Sequence, residues 1–134
     1  MFLLIVALIL LVLYLIPTYT EPVVVRGLVT PKERQHIMHK AEKKLAVSTV
    51  AENRIIDKKV RDSETAWLDA NDPVVKRVME KCVSLTDRPL TNCEHLQVLR
   101  YKPGGHYKPH QDTFSDTKGN KRMYTIILAL NDDY

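Results

Sequence analysis

The chain has 134 residues, a net charge of +4 and two cysteines. All charged residues follow Thr20, and this charged part is long enough for one domain but too short for two. Two cysteines are too few for a disulfide scaffold, and their spacing does not fit a zinc knuckle. The lysine pairs at 43–44 and 58–59 stand among acidic residues without interleaved aromatics, so nucleic-acid binding is not expected.

The N-terminal segment is uniformly apolar. Every residue from Phe2 to Ile16 is apolar or tyrosine, and as a helix this run spans about 22–27 Å, slightly less than the roughly 30 Å bilayer core. It lacks a basic n-region and a small-residue cleavage site. Residues 1–19 are therefore predicted to be an uncleaved transmembrane signal-anchor, with a cleaved signal peptide as the alternative. The first basic residues lie after the run, which by the positive-inside rule favours a cytosolic domain.

The first elements after this segment are a strand at Val23–Val29 and a helix. Thr30 can cap this helix, and Pro31 suits its first position. Glu33 completes a capping box. The helix has one apolar face, which leaves its two histidines on polar flanks without a third metal-binding group. The apolar residues are Ile37, Met38, Ala41 and Leu45, and the histidines are His36 and His39.

A mixed, extended stretch is predicted at Ser48–Val60, followed by a second helix that starts at Asn71-Asp72-Pro73. Its apolar stripe favours Cys82 as a buried reduced thiol, although one disulfide stays possible in an oxidising compartment. The stripe consists of Val75, Val78, Met79 and Cys82.

The character of the chain changes after Thr91. Strands are predicted at Leu96–Tyr101, His106–Phe114 and Tyr124–Leu130. The Lys102–Gly105 segment has the composition of a turn, and Ser115–Asn120 that of a polar loop.

His110 and Asp112 are the candidate metal ligands. On a strand, residues two apart point to the same face about 6.6 Å from each other, so both side chains can reach one cation. An imidazole and a carboxylate with open positions are typical of a non-haem Fe(II) oxygenase site, which a second histidine completes. By itself, His-x-Asp is also compatible with two solvated loop residues.

The surrounding motifs are more specific. Their order and spacing closely resemble the prolyl 4-hydroxylase branch of the 2-oxoglutarate/Fe(II)-dependent dioxygenases. The resemblance covers the chain from Val23 to Tyr134. The motifs that carry it are Leu96-Gln-Val-Leu-Arg-Tyr101, Gly104-Gly105, Tyr107-x-Pro109-His110-x-Asp112 and Arg122-x-x-Thr125, with Thr30-Pro-Lys-Glu, Ser48-Thr-Val and Asp72-Pro-Val-Val upstream.

The resemblance implies a role for each matching residue. His110 and Asp112 are the first two iron ligands, and the Tyr101 hydroxyl contacts 2-oxoglutarate. Tyr107 and Arg122 line the peptide-substrate groove. His106 is a turn residue rather than the second histidine. One departure is Ala129, which stands where some relatives have a tyrosine that helps hold the distal carboxylate of 2-oxoglutarate.

The implied fold is α+β, a double-stranded β-helix (jelly roll) with N-terminal supporting helices. The implied reaction is 4-hydroxylation of a peptidyl proline, coupled to decarboxylation of 2-oxoglutarate to succinate. Fe(II), 2-oxoglutarate and L-ascorbate are the expected cofactors, a proline-containing peptide or protein is the substrate, and anchored relatives face the endoplasmic reticulum lumen. The alternatives are hydroxylation of another side chain such as lysine, or a non-catalytic membrane-anchored remnant.

The chain is also expected to be incomplete. No histidine follows His110, and the family takes its second histidine and the basic residue that pairs with 2-oxoglutarate from later strands. Residues 20–134 are therefore predicted to be an oxygenase domain that lacks its C-terminal part, inactive and poorly soluble by itself.

Overall fold

The computed structural model describes residues 5, 6, 11, 14, 21–50, 55–112 and 121–132. From residue 21 onward, the described part of the chain forms two helices, five short strands and one 3-10 turn. The helices are α1 (Pro31–Glu42) and α2 (Pro73–Val83), and the 3-10 turn is Leu90–Asn92. The strands are β1 (Ala46–Val47), β2 (Arg61–Asp62), β3 (Glu64–Leu68), β4 (Leu96–Arg100) and β5 (His106–Tyr107).

The strands form two antiparallel sheets. One has the order β1-β3-β4, and β2 pairs with β5 in the other. The β3–β4 ladder runs from Glu64 opposite Arg100 to Leu68 opposite Leu96. Together with the two helices, these sheets confirm the predicted α+β class and contain part of a core.

Helix α1 begins where its capping signals predict. The Thr30 hydroxyl accepts a hydrogen bond from the backbone N–H of Glu33, and the Glu33 carboxylate accepts one from the backbone N–H of Thr30, which together form a capping box. Glu33 is buried, and Lys81 of α2 donates to both of its carboxylate oxygens at 2.9 and 2.8 Å. The hydrogen bonds from Lys81 and from the backbone of Thr30 lower the pKa of Glu33 to about 2. One carboxylate thus caps α1 and ties it to α2.

Helix α2 is capped by Asp72, which accepts from the backbone N–H groups of Val74 and Val75. The same carboxylate lies 2.9 Å from the His36 ring and 3.1 Å from the Lys40 ammonium, both on α1. The hydrogen bond to His36 is the largest cause that lowers the pKa of Asp72, so the carboxylate is held in its ionised form. His36, which the sequence places on a polar flank of α1, is therefore part of the helix–helix contact.

The core lies between the helices and one face of the three-stranded sheet. The predicted stripe of α2 is buried in full, including Cys82, whose thiol is free and has its pKa raised by burial. On the opposite face of the sheet, the Trp67 and Leu99 side chains remain 45% and 39% exposed. The buried apolar residues are Ile37, Ala41, Ala66, Leu68, Val75, Val78, Met79, Cys82 and Val98.

Two predicted strands are wrong. Val23–Val29 forms no strand, and Val23 is 85% exposed. The segment Tyr124–Leu130 is not a strand either. No other described segment forms a backbone hydrogen bond with it. Leu128 and Leu130 still pack against the core, whereas Ile127 is 88% exposed. A β-branched or alternating sequence is thus insufficient for a strand without a neighbour that satisfies its backbone.

The predicted signal-anchor, residues 1–19, lies outside the described residues except for positions 5, 6, 11 and 14, whose backbone is helical. No helix in the described part of the chain has both the length and the apolarity required to span a bilayer. The Ser48–Val60 stretch contains a bridge between Val50 and Ile55 and a turn at residues 58–60, with 51–54 outside the description.

We predict that Glu33→Gln lowers the free energy of unfolding by about 1–3 kcal/mol at pH 7, because it leaves the Lys81 ammonium without its charged acceptor. The Glu33 pKa falls on folding from an ordinary 4.5 to about 2. The stabilisation that the Glu33 carboxylate contributes is therefore complete above about pH 4.5 and is lost as the pH falls towards 2. Urea unfolding at several pH values measures both effects.

The control is Glu80→Gln, because the exposed Glu80 carboxylate lies 4.0 Å from the Lys76 ammonium and such pairs contribute little. An equal loss in both variants, or a difference from wild type that does not shrink in acid, would contradict the assigned role of Glu33.

Candidate metal centre

A tight turn after β4 brings the candidate ligands into position. Gly104 has φ +83° and Gly105 donates its N–H to the Lys102 carbonyl at 2.7 Å. The chain then forms β5, in which Tyr107 lies opposite Arg61 and His106 opposite Asp62. One residue further, the N–H of Lys108 donates to the Val60 carbonyl at 3.0 Å. The approach to His110 is therefore fixed against β2 by its backbone.

His110 and Asp112 lie beyond the end of β5, which corrects the prediction of a strand over His106–Phe114. Residues 109–112 are bent and unpaired, and 113–114 lie outside the described residues. The two side chains nevertheless meet, with His110 Nε2 3.2 Å from Asp112 Oδ1. A bend in the backbone, and not the pleat of a strand, brings His110 Nε2 and Asp112 Oδ1 together.

This separation fits two ligands of one metal ion. With metal bonds of about 2.0–2.2 Å to imidazole and carboxylate, donors at a right angle are about 3 Å apart. Both side chains are accessible, at 40% and 41% exposure for His110 and Asp112. No set of three possible ligands from His, Cys, Asp and Glu occurs among the described residues. The described residues therefore contain two neighbouring candidate ligands.

Hydrogen bonds orient the histidine. His110 Nδ1 lies 2.8 Å from the Lys108 carbonyl oxygen. Since a carbonyl only accepts, Nδ1 is the nitrogen that donates this bond, and Nε2 is the ring nitrogen that faces Asp112. The Tyr107 ring stacks on the imidazole with 3.7 Å between centroids. This is the arrangement in which a protein commonly holds a metal-binding histidine.

Asp112 is held from the C-terminal side. The Thr125 hydroxyl donates to Asp112 Oδ2 at 2.7 Å, and the Arg122 guanidinium donates to the Asp112 carbonyl oxygen at 3.3 Å. Arg122 also pairs with Glu94, at 2.7 Å between Nη2 and Oε2. This pairing lowers the pKa of Glu94 and raises that of Arg122. Arg122 is thus a neighbour of the ligand pair.

Tyr107 lies between His110 and a buried cation. The Arg61 guanidinium carbon is 4.7 Å from the centre of the Tyr107 ring. Arg61 donates to hydroxyls, including Ser63 Oγ at 3.1 Å, and is only 8% exposed. The sequence assigned no role to Arg61 or Glu94, and it placed Thr125 in a motif without a role, because their contacts join residues that are far apart in the chain.

Among the described residues, the other candidates have no hydrogen bond to the His110–Asp112 pair. Tyr101 follows β4 directly, and its side chain is 44% exposed. His106 is in β5, with Nε2 3.4 Å from the Lys59 carbonyl oxygen. Because no three-residue metal group exists in the described ranges, His106 does not complete the His110–Asp112 pair. Ala129 is exposed in the segment after Arg122.

Comparison with known proteins identifies the class. Residues 96–134, which contain β4, the glycine turn and both candidate ligands, match the 2OG-Fe(II) oxygenase superfamily. The chain belongs to this superfamily, in its prolyl 4-hydroxylase-type branch, as the following relatives show.

A putative prolyl 4-hydroxylase of Acanthamoeba polyphaga mimivirus is 33% identical over 125 residues, which are 87% of this chain and 51% of that protein. Prolyl 4-hydroxylase 1 of Arabidopsis thaliana is 31% identical over 83% of this chain and 43% of its own length. Prolyl 4-hydroxylase 5 of the same plant is 36% identical over 82% and 40%. The resemblance read from the motifs is confirmed, and the chain spans about half of these relatives or less.

We predict that His110→Ala and Asp112→Ala each weaken binding of Co(II), a substitute for Fe(II), by more than the 10–100-fold typical of residues that only support a ligand. Asp112→Glu also binds poorly, because its extra methylene displaces the carboxylate from His110 Nε2. Titration of the full-length protein, followed by the Co(II) absorption, measures these affinities.

The matched control is His106→Ala, which removes an exposed histidine four residues away and leaves Co(II) affinity unchanged. Wild-type affinity in Asp112→Ala would rule out the assigned ligand pair.

Proposed function

We propose that this protein is an Fe(II)- and 2-oxoglutarate-dependent oxygenase that 4-hydroxylates peptidyl proline. The observation that carries the proposal is the 3.2 Å separation of His110 Nε2 and Asp112 Oδ1, inside the segment that matches the oxygenase superfamily. The relatives that cover most of the chain are named prolyl 4-hydroxylases. A facial site with an imidazole, a carboxylate and open positions suits this chemistry.

In this proposal, His110 and Asp112 hold the metal ion through Nε2 and Oδ1. Bound Fe(II) and 2-oxoglutarate supply the oxidative chemistry that amino-acid side chains lack, while the protein binds and orients the reactants. The Lys108 carbonyl orients the histidine ring through Nδ1. The two ligands are open to solvent in this chain. In the proposal, the bound co-substrate and peptide therefore cover them and exclude water.

The remaining predicted residues are proposed to bind the co-substrate and the peptide. We propose that the Tyr101 hydroxyl contacts 2-oxoglutarate, since Tyr101 ends the strand that leads into the site. Tyr107 and Arg122 line the peptide groove, and their support comes from their contacts with His110 and with the Asp112 carbonyl, respectively. L-ascorbate restores iron that is oxidised without substrate. The two antiparallel sheets are the first strands of a jelly roll, which the α1–α2 pair supports from outside.

We predict that the full-length protein converts 2-oxoglutarate to succinate in proportion to 4-hydroxyproline formed in a proline-rich peptide. Turnover requires Fe(II) and is abolished in Asp112→Ala. Mass spectrometry of the peptide, with succinate measured in parallel, tests both products.

A matched peptide with lysine in place of proline separates the two enzyme readings, because a lysyl hydroxylase modifies that peptide instead. Fe(II) binding without any turnover of 2-oxoglutarate would favour a non-catalytic binding protein.

We further propose that residues 1–19 anchor the protein in a membrane. The resemblance to anchored relatives implies a domain in the endoplasmic reticulum lumen, whereas the positive-inside rule favours a cytosolic domain. The support for the anchor is the uncharged run from Phe2 to Ile16, since charged side chains are costly in a bilayer core. The protein should resist carbonate extraction from membranes, and deletion of residues 2–19 should release it.

A glycosylation acceptor introduced at residues 115–120 reports the orientation, because only a lumenal loop is modified. Mature chains that begin near Thr18 would instead demonstrate a cleaved signal peptide.

A further inference from the structure

The two oxygens of the Asp112 carboxylate have different partners. Oδ1 lies 3.2 Å from His110 Nε2, whereas Oδ2 accepts a hydrogen bond from the Thr125 hydroxyl at 2.7 Å. Hydrogen bonds from a hydroxyl to a carboxylate are short and about twice as strong as those between neutral groups. The bond from Thr125 therefore fixes the rotation of the carboxylate about its Cβ–Cγ bond, and Oδ1 is the oxygen that faces His110.

We propose that Thr125 is a positioning residue that selects Oδ1 of Asp112 as the single metal-binding oxygen. The inference rests on the proposed function, because it assigns a role at the same metal centre. A carboxylate free to rotate can bind a metal through both oxygens and occupy a second coordination position. By holding Oδ2, Thr125 keeps that position open for the co-substrate.

The histidine is held by a parallel arrangement. His110 Nδ1 is tied to the Lys108 carbonyl, just as Asp112 Oδ2 is tied to Thr125. His110 Nδ1 and Asp112 Oδ2 thus each have a protein partner, and His110 Nε2 and Asp112 Oδ1 face each other. Loss of such an outer partner typically weakens metal binding or lowers activity by about 10–100-fold.

Arg122 does not perform this role. Its guanidinium contacts Asp112 through the backbone carbonyl and holds Glu94 by two nitrogens. A contact to the backbone positions the residue as a whole and leaves the carboxylate free to rotate. Thr125 is the described residue that donates to the Asp112 side chain.

The test is Co(II) titration of the full-length protein with Thr125→Val, Thr125→Ala and Thr125→Ser. Valine has the shape of threonine without the hydroxyl, and we expect about 10–100-fold weaker Co(II) binding in Val and Ala. Serine restores the hydroxyl, and with it the affinity. The Co(II) absorption of the Val variant should change as the carboxylate binds through both oxygens, and its KM for 2-oxoglutarate should rise more than its KM for peptide. Thr91→Val, at an exposed threonine in the 3-10 turn, should match wild type.

Unfolding temperatures separate positioning from stability. A lower unfolding temperature in Thr125→Val with unchanged Co(II) affinity and spectrum would overturn the proposal. If the Val variant does not fold, the Ala and Ser pair decides by the same comparison, because equal affinities in these two also overturn it. A wild-type protein that binds no Co(II) would instead refute the metal centre itself.

Discussion

At Gly105 the turn after β4 comes so close to β2 that a Cβ atom would lie 2.8 Å from the Asp62 carbonyl oxygen and 2.9 Å from that of Lys102. Real Cβ atoms do not approach backbone this closely, so glycine is required there. This contact lets β5 pair with β2. Through that pairing Tyr107 meets Arg61, and the chain arrives at His110 with its backbone already tied to Val60. The position of the candidate metal ligands depends on this close approach.

The two helices support β4, the strand that precedes the glycine turn. Helix α1 packs on α2, β3 and β4, and the Glu33–Lys81 and Asp72–His36 contacts join the helices to each other. Apolar side chains on one face of the sheet are buried against this pair, while the opposite face keeps Trp67 accessible. Burial on one face fixes the register of β4, because a shift by one residue would turn its core side chains to solvent. The start of the glycine turn is thereby fixed as well.

Some elements predicted from the sequence agree with the structure, and others do not. The helix starts, the buried stripe of α2, β4 and the glycine turn agree with the structure, because each depends on neighbours in sequence. Val23–Val29 and Tyr124–Leu130 have strand-like composition but no described partner. The His110–Asp112 pair was predicted on a strand, whereas a bend produces its geometry. The two predicted side chains do lie together, although the predicted local conformation was wrong.

By itself, the sequence determined the helix caps, the amphipathic stripe and the order of motifs that defines the oxygenase family. These are properties of residue type and short spacing. Only the tertiary structure decided that Thr125 meets Asp112, that Arg61 lies over Tyr107 and that Glu94 pairs with Arg122. Each of these contacts closes a loop between distant segments, and loop closure is set by the fold as a whole. For that reason, residue spacing predicted two metal ligands, and the folded chain identified the atoms that hold them in place.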